Sequence, residues 1–340
     1  MKNSIAYIGT YTNGDSEGIY RLSLDLTNGN VNDISLVARF GNPTYLCINK
    51  NKLYTVGNPF SVDTLGGVAS FNIEDDYSLK LTGASLTQGK APCHINIIEH
   101  EIPLIVSSNF HEKSINTYSL NETMDIDRSL SSFIHNDNSK IHFASLTPDR
   151  KFLCAINIGM DRIELFKINS NNSLTYLKKL AFQCDKGCGP RHIEFSKDGK
   201  NAYVICENSS EVIILRYLGE NGFHLVQYNH ILPNGFNGQN YGSTIKISSC
   251  NKFLYVSNRG FNGISAFKID QKTGTLKLIN HYSSYGDFPR DFTLTPCENY
   301  LIVANEKSNN ITIYKRNEDG TLKLINKDIS VPSPTCIKFI

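Results

Sequence analysis

The chain has 340 residues and a formal net charge of +2, and its basic residues are scattered, which gives no support to a nucleic-acid-binding or membrane-surface role. No apolar run approaches the ~20 residues that span a bilayer. The N-terminus enters a strand-like run without the apolar core of a signal peptide, so we expect a cytoplasmic protein.

The nine cysteines are an odd number, and four of them, Cys47, Cys154, Cys206 and Cys336, lie within apolar runs, which is typical of small buried side chains in a reducing compartment. Cys184 and Cys188 flank three residues, whereas zinc sites usually combine C-x-x-C spacing with a second pair. We therefore expect neither a metal site nor a cofactor.

Short strand-like runs recur along the chain with a period of 47–52 residues. The clearest copy of the repeat is the segment GTLKLIN, which occurs at 274–280 and again at 320–326. The series has seven members, which are Ile5–Ile8, Leu53–Val56, Leu104–Ser107, Leu153–Ile156, Ala202–Ile205, Leu254–Ser257 and Leu301–Ala304. A period of about 40–50 residues built from short apolar runs is typical of a β-propeller.

A second series has the same period and also seven members. Its central residues are Thr44, Cys93, His142, Arg191, Ser243, Arg290 and Thr335. In the fifth repeat, four strands are predicted at His192–Ser196, Ala202–Cys206, Val212–Tyr217 and Leu225–Ile231. Asp-Gly or Asn-Gly stands between several of these runs, and tight hairpins favour both dipeptides because Gly and Asn accept positive φ.

We predict an all-β fold, a seven-bladed β-propeller of four-stranded antiparallel blades, in which residues 1–340 form a single domain. The last segment, Pro334–Ile340, belongs to the inner-strand series. It is expected to close the ring by pairing with the N-terminal strand around Ile5–Tyr7. A double β-sandwich and a β-helix are the alternatives, but neither predicts a period of 47–52 residues.

The start of each inner strand and the end of the next strand should meet at one mouth of the central channel, because adjacent strands are antiparallel. The inner-strand starts are the seven central residues given above. The second-strand ends are Thr10, Asn58, Asn109, Ile158, Glu207, Arg259 and Glu306. A mouth rich in Arg, His and Glu suits a small anionic ligand, since guanidinium groups bind carboxylate or phosphate in a forked geometry. The alternative is that Arg–Glu pairs merely tie neighbouring blades together.

Motifs spread over essentially the whole chain support this placement. They are Tyr7–Thr12, Gly18–Tyr20, Asn42–Tyr45, Pro92–His94, Gly159–Arg162, Gly189–His192, Ser257–Gly260 and Pro289–Phe292. Together they resemble the seven-bladed lactonase family, which contains the propeller-type 6-phosphogluconolactonases and the fungal carboxymuconate-lactonizing enzymes. In the lactonizing branch the catalytic set is one His, two Arg and one Glu, which by motif correspond to His142, Arg191, Glu207 and Arg259.

The resemblance implies a hydrolase of carbohydrate metabolism that opens a sugar δ-lactone, with 6-phospho-D-glucono-1,5-lactone of the pentose phosphate pathway as the expected substrate. Glu207 or His142 is expected to act as the general base toward water. Arg191 would stabilise the oxyanion, and Arg259 with Arg290 would hold the anionic group of the substrate.

Three further residues are candidates for substrate binding. His94 and His192 either hydrogen-bond the sugar or are histidines of the channel wall bonded to backbone. Lys140 either contacts the phosphate or is a solvated surface lysine. Asp161 is expected to brace Arg162 or a turn rather than to catalyse.

The chain departs from the family pattern at three places, which leaves the identity of the substrate open. Lys140-Ile-His142 stands where the family often has His-x-His, Asn157-Ile-Gly159 where it has Asp-Leu-Gly, and Asn58 where it has Glu.

Two other functions remain open. A lactone-forming cycloisomerase would use the same His, Arg and Glu side chains. A non-catalytic propeller would bind a ligand or a protein on one face, although the Trp-Asp pairs of protein-binding propellers are absent from a chain without tryptophan. The expected partner is a small anionic sugar lactone, with no nucleic acid and no membrane.

Overall fold

The computed structural model describes residues 3–59, 64–99 and 102–340 and confirms the seven-bladed β-propeller. Blade 1 contains β1 (Asn3–Thr10), β2 (Gly18–Asp25) and β3 (Val31–Arg39), and blade 2 contains β4 (Leu46–Asn49), β5 (Lys52–Gly57), β6 (Leu65–Ile73) and β7 (Leu79–Gln88). Blade 3 contains β8 (His94–Ile98), β9 (Leu104–Asn109), β10 (Ser114–Leu120) and β11 (Ile126–Ile134). Blade 4 contains β12 (Ile141–Leu146), β13 (Leu153–Asn157), β14 (Arg162–Ile168), β15 (Leu174–Tyr176) and β16 (Phe182–Gln183).

The remaining strands complete the ring. Blade 5 contains β17 (Pro190–Phe195), β18 (Asn201–Cys206), β19 (Glu211–Tyr217) and β20 (Phe223–His230), and blade 6 contains β21 (Tyr241–Ile247), β22 (Phe253–Arg259), β23 (Gly263–Ile269) and β24 (Leu276–Ser283). Blade 7 contains β25 (Pro289–Leu294), β26 (Tyr300–Asn305), β27 (Asn310–Arg316) and β28 (Leu322–Ser330), and β29 (Pro334–Phe339) returns to blade 1. Short 3₁₀ helices occur at Ile158–Met160, Lys178–Leu180 and Gly219–Asn221. Across the described ranges no helix is long and apolar enough to cross a membrane.

Blade 4 differs from the prediction of four strands per repeat. Its outer strand is divided, because β15 pairs with one end of β14 and β16 with the other. The 3₁₀ helix Lys178–Leu180 lies between the two pieces. The other six sheets have four strands each within the described part of the chain.

Seven hydrophobic clusters hold the described blades together, and one cluster lies at each of the seven blade interfaces. The second strand of each blade supplies residues to the clusters on both sides. In β1, for example, Ala6 and Ile8 pack toward blade 7, while Ile5 and Tyr7 pack toward blade 2. A strand buried on both faces must be apolar at consecutive positions. This requirement explains the continuous apolar runs that mark the period in the sequence.

The duplicated GTLKLIN segment occupies the same structural position in blades 6 and 7. Its first glycine has positive φ in both copies, 79° at Gly274 and 84° at Gly320. Each glycine carbonyl accepts a hydrogen bond from a tyrosine in the second strand of the preceding blade, from Tyr203 at 2.9 Å and from Tyr255 at 2.9 Å. The repeated sequence therefore serves a contact between neighbouring blades.

The inner strands carry bulges at residues of the channel mouth. In β12 the register passes from Ile141 directly to Phe143, so His142 has no partner on β13. In the same way, the register of β17 skips Arg191 and that of β25 skips Arg290. A bulge residue is freed from the pairing and its side chain is re-aimed. The three side chains therefore share one local geometry.

The two ends of the chain close the ring, as predicted. β29 pairs with β1 in antiparallel register from Ala6–Phe339 to Gly9–Cys336, with a shift at Thr10. Ile337 is fully buried in the cluster between blades 1 and 7, and Cys336 in the cluster between blades 1 and 2.

Deletion of Pro334–Ile340 is expected to destabilise the protein by more than about 3 kcal/mol, because blade 1 loses its inner strand, in which Pro334, Thr335, Cys336 and Ile337 are all buried. The measurement is the guanidinium unfolding midpoint. Removal of Ile340 alone is the control and should change the midpoint little, since this side chain is 41% exposed. An unchanged midpoint in the longer deletion would refute the role of this strand in closure.

Candidate active site

The residues predicted at the inner-strand starts converge on one mouth of the channel. Six of the seven line a single cleft, which we call the arginine cleft and which is lined by Thr44, Tyr45, Cys93, His142, Arg191, His192, Thr244, Arg290, Asp291 and Thr335. The seventh, Ser243, contributes its backbone carbonyl, which accepts a hydrogen bond from Arg191 Nη1 at 2.6 Å. The sequence repeat therefore identified the cleft correctly.

Glu207 and Arg259 stand beside this cleft and form its main ionic contact with Arg191. Glu207 Oε2 lies 2.6 Å from Arg259 Nη2 and 3.2 Å from Arg191 Nε. Arg259 Nη2 also donates to the carbonyl of Gly242 at 2.9 Å. One carboxylate oxygen thus serves two guanidinium groups, which fixes their relative positions.

The two guanidinium groups retain donor capacity. Arg191 Nε and Arg259 Nε are both buried and make no well-aligned hydrogen bond to any described residue. Burial opposes ionisation of Glu207, but the charges of Arg259 and Arg191 prevail and lower its pKa. Burial, and then the charge of Arg259, lower the pKa of Arg191 to about 9. At neutral pH the site therefore contains an ionised carboxylate between two charged guanidinium groups.

Aromatic side chains hold Arg259 and Arg290 in place. The guanidinium carbon of Arg259 lies 5.1 Å from the ring centre of Phe288 and 5.6 Å from that of Tyr241. Arg290 Nη2 donates to the hydroxyl of Tyr11 at 2.8 Å. The sequence analysis did not select these aromatic residues, although Tyr11 lies within its opening motif. Only Phe288 had a signal in the sequence, because it directly precedes the strand start Pro289-Arg290.

Arg290 also faces a second carboxylate. Its Nη1 lies 3.5 Å from Glu306 Oε2, an oxygen that accepts no hydrogen bond from a described residue. Burial opposes the charge of Arg290, but Tyr11 and the carboxylates of Glu306 and Glu207 prevail and raise its pKa. Arg290 is therefore a permanently charged group of the cleft.

His142 is a buried base that lines the cleft together with Arg191 and Arg290. Its ring centre lies 5.2 Å from that of His192, and its Nδ1 is buried without a hydrogen-bond partner among the described residues. Burial, followed by the charges of Arg191 and Arg290, lowers the pKa of His142 well below its usual value. The imidazole is consequently neutral at neutral pH and able to accept a proton.

His94 and His192 belong to a layer of packed rings beneath the cleft. The ring centre of His94 lies 4.5 Å from that of Tyr45 and 4.2 Å from that of Phe143. The ring centre of His192 lies 5.1 Å from that of Phe143 and 6.1 Å from that of Tyr45. His192 lines the cleft and lies 3.3 Å from Arg191 Nη1. His94 does not line it, and its Nδ1 accepts a 3.4 Å bond from the backbone N–H of Ala144. His94 thus lies in the channel wall.

Lys140 lies at the outer rim, on the side of His142. Its side chain is exposed, and its ammonium stands 5.1 Å from the ring centre of Phe110. The ring of Phe110 is in turn 6.4 Å from that of His142. A ligand that extends out of the cleft past His142 would come close to this ammonium.

Asp161 braces the loop before Arg191, in agreement with the interpretation that it supports a turn. Its carboxylate accepts the backbone N–H groups of Gly187 at 2.7 Å and Gly189 at 2.8 Å. The carbonyl of Gly189 in turn accepts the N–H of Glu207 at 2.6 Å. The loop therefore connects blade 4 to the strands that carry Arg191 and Glu207.

The cysteines at 184 and 188 lie away from the arginine cleft. Both are buried in the hydrophobic cluster between blades 4 and 5, together with Cys154 and Cys206. Over the described ranges, no group of three or more His, Cys, Asp or Glu side chains is arranged to hold a metal ion.

Comparison with known proteins relates this architecture to a family. Residues 5–339 match the family model described as "Lactonase, 7-bladed beta-propeller". The chain is 33% identical to a 6-phosphogluconolactonase of Bacillus subtilis, with 100% of this chain and 99% of that protein aligned. A Lactobacillus plantarum structure superposes over 100% of both chains with a TM-score of 0.93 and 31% identity. A periplasmic gluconolactonase of Pseudomonas aeruginosa has the same TM-score, 0.93, over 100% of this chain and 99% of that one. Its 24% identity supports the fold alone.

Three of the four buried histidines, His94, His142 and His192, predict a specific dependence of stability on pH. Burial lowers the pKa of His94, His142 and His192 below the usual 6.5, so that the unfolded chain binds more protons than the folded one in mildly acidic solution. Their stabilising contribution is complete above about pH 6.5 and is lost as the pH falls from there toward the folded pKa values. Each histidine contributes a slope of up to about 1.4 kcal/mol per pH unit.

The measurement is the free energy of unfolding in denaturant between about pH 7.5 and 5, a range above the titration of ordinary carboxylates. His94→Phe should remove about a third of the slope. The matched control, His224→Phe, replaces an exposed histidine and should leave the slope unchanged. A flat profile for the unaltered protein would contradict the neutral state of the buried imidazoles.

Proposed function

Because the chain belongs to the seven-bladed β-propeller lactonase family, a family of lactone-hydrolysing enzymes, we propose that its substrate is 6-phospho-D-glucono-1,5-lactone and its product 6-phosphogluconate. The observation that carries this proposal is the sharing of one carboxylate oxygen of Glu207 by Arg191 and Arg259, next to a third guanidinium. The arrangement leaves N–H donors directed at a ligand that brings its own negative charge. A phosphorylated sugar lactone has that charge at one end and develops a second at its carbonyl.

Arg191 is proposed to stabilise the oxyanion. It is the most deeply buried of the three guanidinium groups, with Ser243 and Glu207 fixing its orientation. A donor held rigidly in a site with little water stabilises developing charge without having to reorganise. Arg259 and Arg290, with Lys140 at the rim, are proposed to hold the phosphate.

His142 is proposed as the general base, in preference to Glu207. The Glu207 carboxylate is occupied by two guanidinium groups and its pKa is lowered, so it is a weak proton acceptor. His142 is neutral and its Nδ1 has no partner among the described residues. A bound phosphate offsets the positive charges that disfavour the imidazolium, and the substrate therefore raises the pKa of its own base.

The proposed reaction adds water to the lactone carbonyl and then opens the ring. His142 removes a proton from water as the oxygen attacks the lactone carbonyl carbon, and the resulting oxyanion is held by Arg191. Collapse of this intermediate breaks the bond between the carbonyl carbon and the ring oxygen. The imidazolium returns its proton to that ring oxygen, which leaves a carboxylic acid and a hydroxyl, and the acid then loses its proton to solvent and becomes a carboxylate. His192 contacts Arg191 and is proposed to line the sugar site, whereas His94 supports the wall beneath it.

Arg191→Ala is expected to lower kcat by about 10²–10³, because the oxyanion loses its principal donor. The assay generates 6-phosphogluconolactone in situ and measures acid release against spontaneous hydrolysis. Arg216→Ala is the matched control, since Arg216 is also in blade 5 but its guanidinium donates to the carbonyl of Thr273 at the surface. Absence of acceleration by the unaltered protein, or full acceleration by Arg191→Ala, would refute the proposed lactonase site.

A second pair of variants identifies the base. His142→Asn should lower kcat by about 10²–10⁴ and remove the acidic limb of the kcat profile, because no group remains to take the proton from water. Glu207→Gln should retain that limb and act mainly on KM, since it loosens the arginines. The opposite pattern, with the limb lost only in Glu207→Gln, would assign the base to Glu207. Melting curves confirm that both variants are folded.

A further inference from the structure

The channel contains a second cavity on the other side of the aromatic layer. It has a volume of about 460 Å³ and is reached from the opposite face of the ring. Each inner strand carries a further residue three positions after its start. These seven residues are Cys47, Asn96, Ser145, Glu194, Lys246, Thr293 and Lys338. Six of these seven residues line the cavity, which we call the lysine pocket. The same repeat that forms the arginine cleft therefore builds a second ring of polar side chains.

The charged side chains that line the lysine pocket are two lysines and one glutamate. Lys246 Nζ pairs with Glu194 Oε1 at 2.5 Å. Lys338 has no ion-pair or hydrogen-bond partner among the described residues, and its ammonium lies 4.7 Å from the ring centre of Tyr45. The nearby Asp291 accepts the backbone N–H of Ile337 at 3.1 Å and attracts the Lys338 ammonium at longer range. Lys338 therefore has a ring face and distant charges around it, but no direct anionic partner among the described residues.

Two neutral side chains in the pocket also have free donors. The Asn96 carbonyl oxygen is contacted by the thiol of Cys47 at 3.6 Å, which leaves the amide N–H₂ group without an acceptor in the described structure. The hydroxyl of Ser145 likewise makes no hydrogen bond to a described residue, although it lines the pocket. An ammonium, an amide and a hydroxyl together offer the donors that a tetrahedral oxyanion accepts.

The aromatic layer separates this pocket from the arginine cleft. The packed rings of Tyr45, His94, Phe143 and His192 lie between them. Lys338 and Lys246 line only the lower cavity, and Arg191 and Arg290 line only the upper one. Tyr45 lines both cavities, whereas the charged side chains of each cavity line that cavity alone.

We propose that the lysine pocket is a second anion site, distinct from the arginine cleft, and that it binds the phosphate group of a small molecule through Lys338, Asn96 and Ser145. Lys246, already paired with Glu194, contributes long-range attraction. Inorganic phosphate and the phosphate of a phosphorylated metabolite present the same oxygens, and the size of the pocket admits either. The proposal does not depend on the reaction at the arginine cleft.

The test is calorimetric titration of the full chain with inorganic phosphate and, separately, with glucose 6-phosphate. The expected result is two sites in the unaltered protein, of which Arg191→Ala weakens only one. Lys338→Met should weaken the other by at least about tenfold, since a charged hydrogen bond is lost. Tighter binding of glucose 6-phosphate than of phosphate at that site would identify a metabolite as the ligand, and the reverse order the free ion.

Three controls keep the test decisive. Lys338→Arg should retain the site, and Lys200→Met, at an exposed lysine of blade 5, should not affect it. If Lys338→Met is unstable, Ser145→Ala is tested in its place, because it removes a proposed hydrogen-bond donor through a smaller change. Lactone hydrolysis should be unchanged in Lys338→Met. A single phosphate site that Arg191→Ala removes, or two sites that survive both Lys338→Met and Ser145→Ala, would overturn the proposal.

Discussion

Every blade of this protein must pack on two neighbours at once, and this constraint governs the rest of the structure. Each interface has its own apolar cluster, so the ring is stable only when the seventh interface is also made. Pairing of β29 with β1 completes it with strands from the two ends of the chain. The rigid ring then holds side chains from different blades at fixed distances around the channel.

The constraint also explains what the sequence could predict. Strands buried on both faces produce apolar runs with one period, and that period located Arg191, Glu207 and Arg259 at adjacent strand ends. The divided outer strand of blade 4 was not predictable, because an outer strand has one solvent face and tolerates interruption. The roles of Tyr11 and Phe288 depend on how the arginine side chains turn, which strand periodicity does not encode.

Local backbone geometry converts this scaffold into a site. The bulges at His142, Arg191 and Arg290 release these residues from the ladder, and therefore charged side chains can turn inward where a regular strand would alternate. Glu207 then orders two guanidinium groups without neutralising both. A simple salt bridge between blades would pair its charges one to one, and the unequal ratio here supports the proposed anion site.

The layer formed by Tyr45, His94, Phe143 and His192 lies between the arginine cleft and the lysine pocket. An acidic product of the proposed reaction has to leave the guanidinium groups before another molecule can bind them. Product release and substrate binding then follow one another at the same guanidinium groups, and a product that accumulates competes directly with substrate. Release, rather than bond cleavage, would limit turnover when the expelled anion binds tightly.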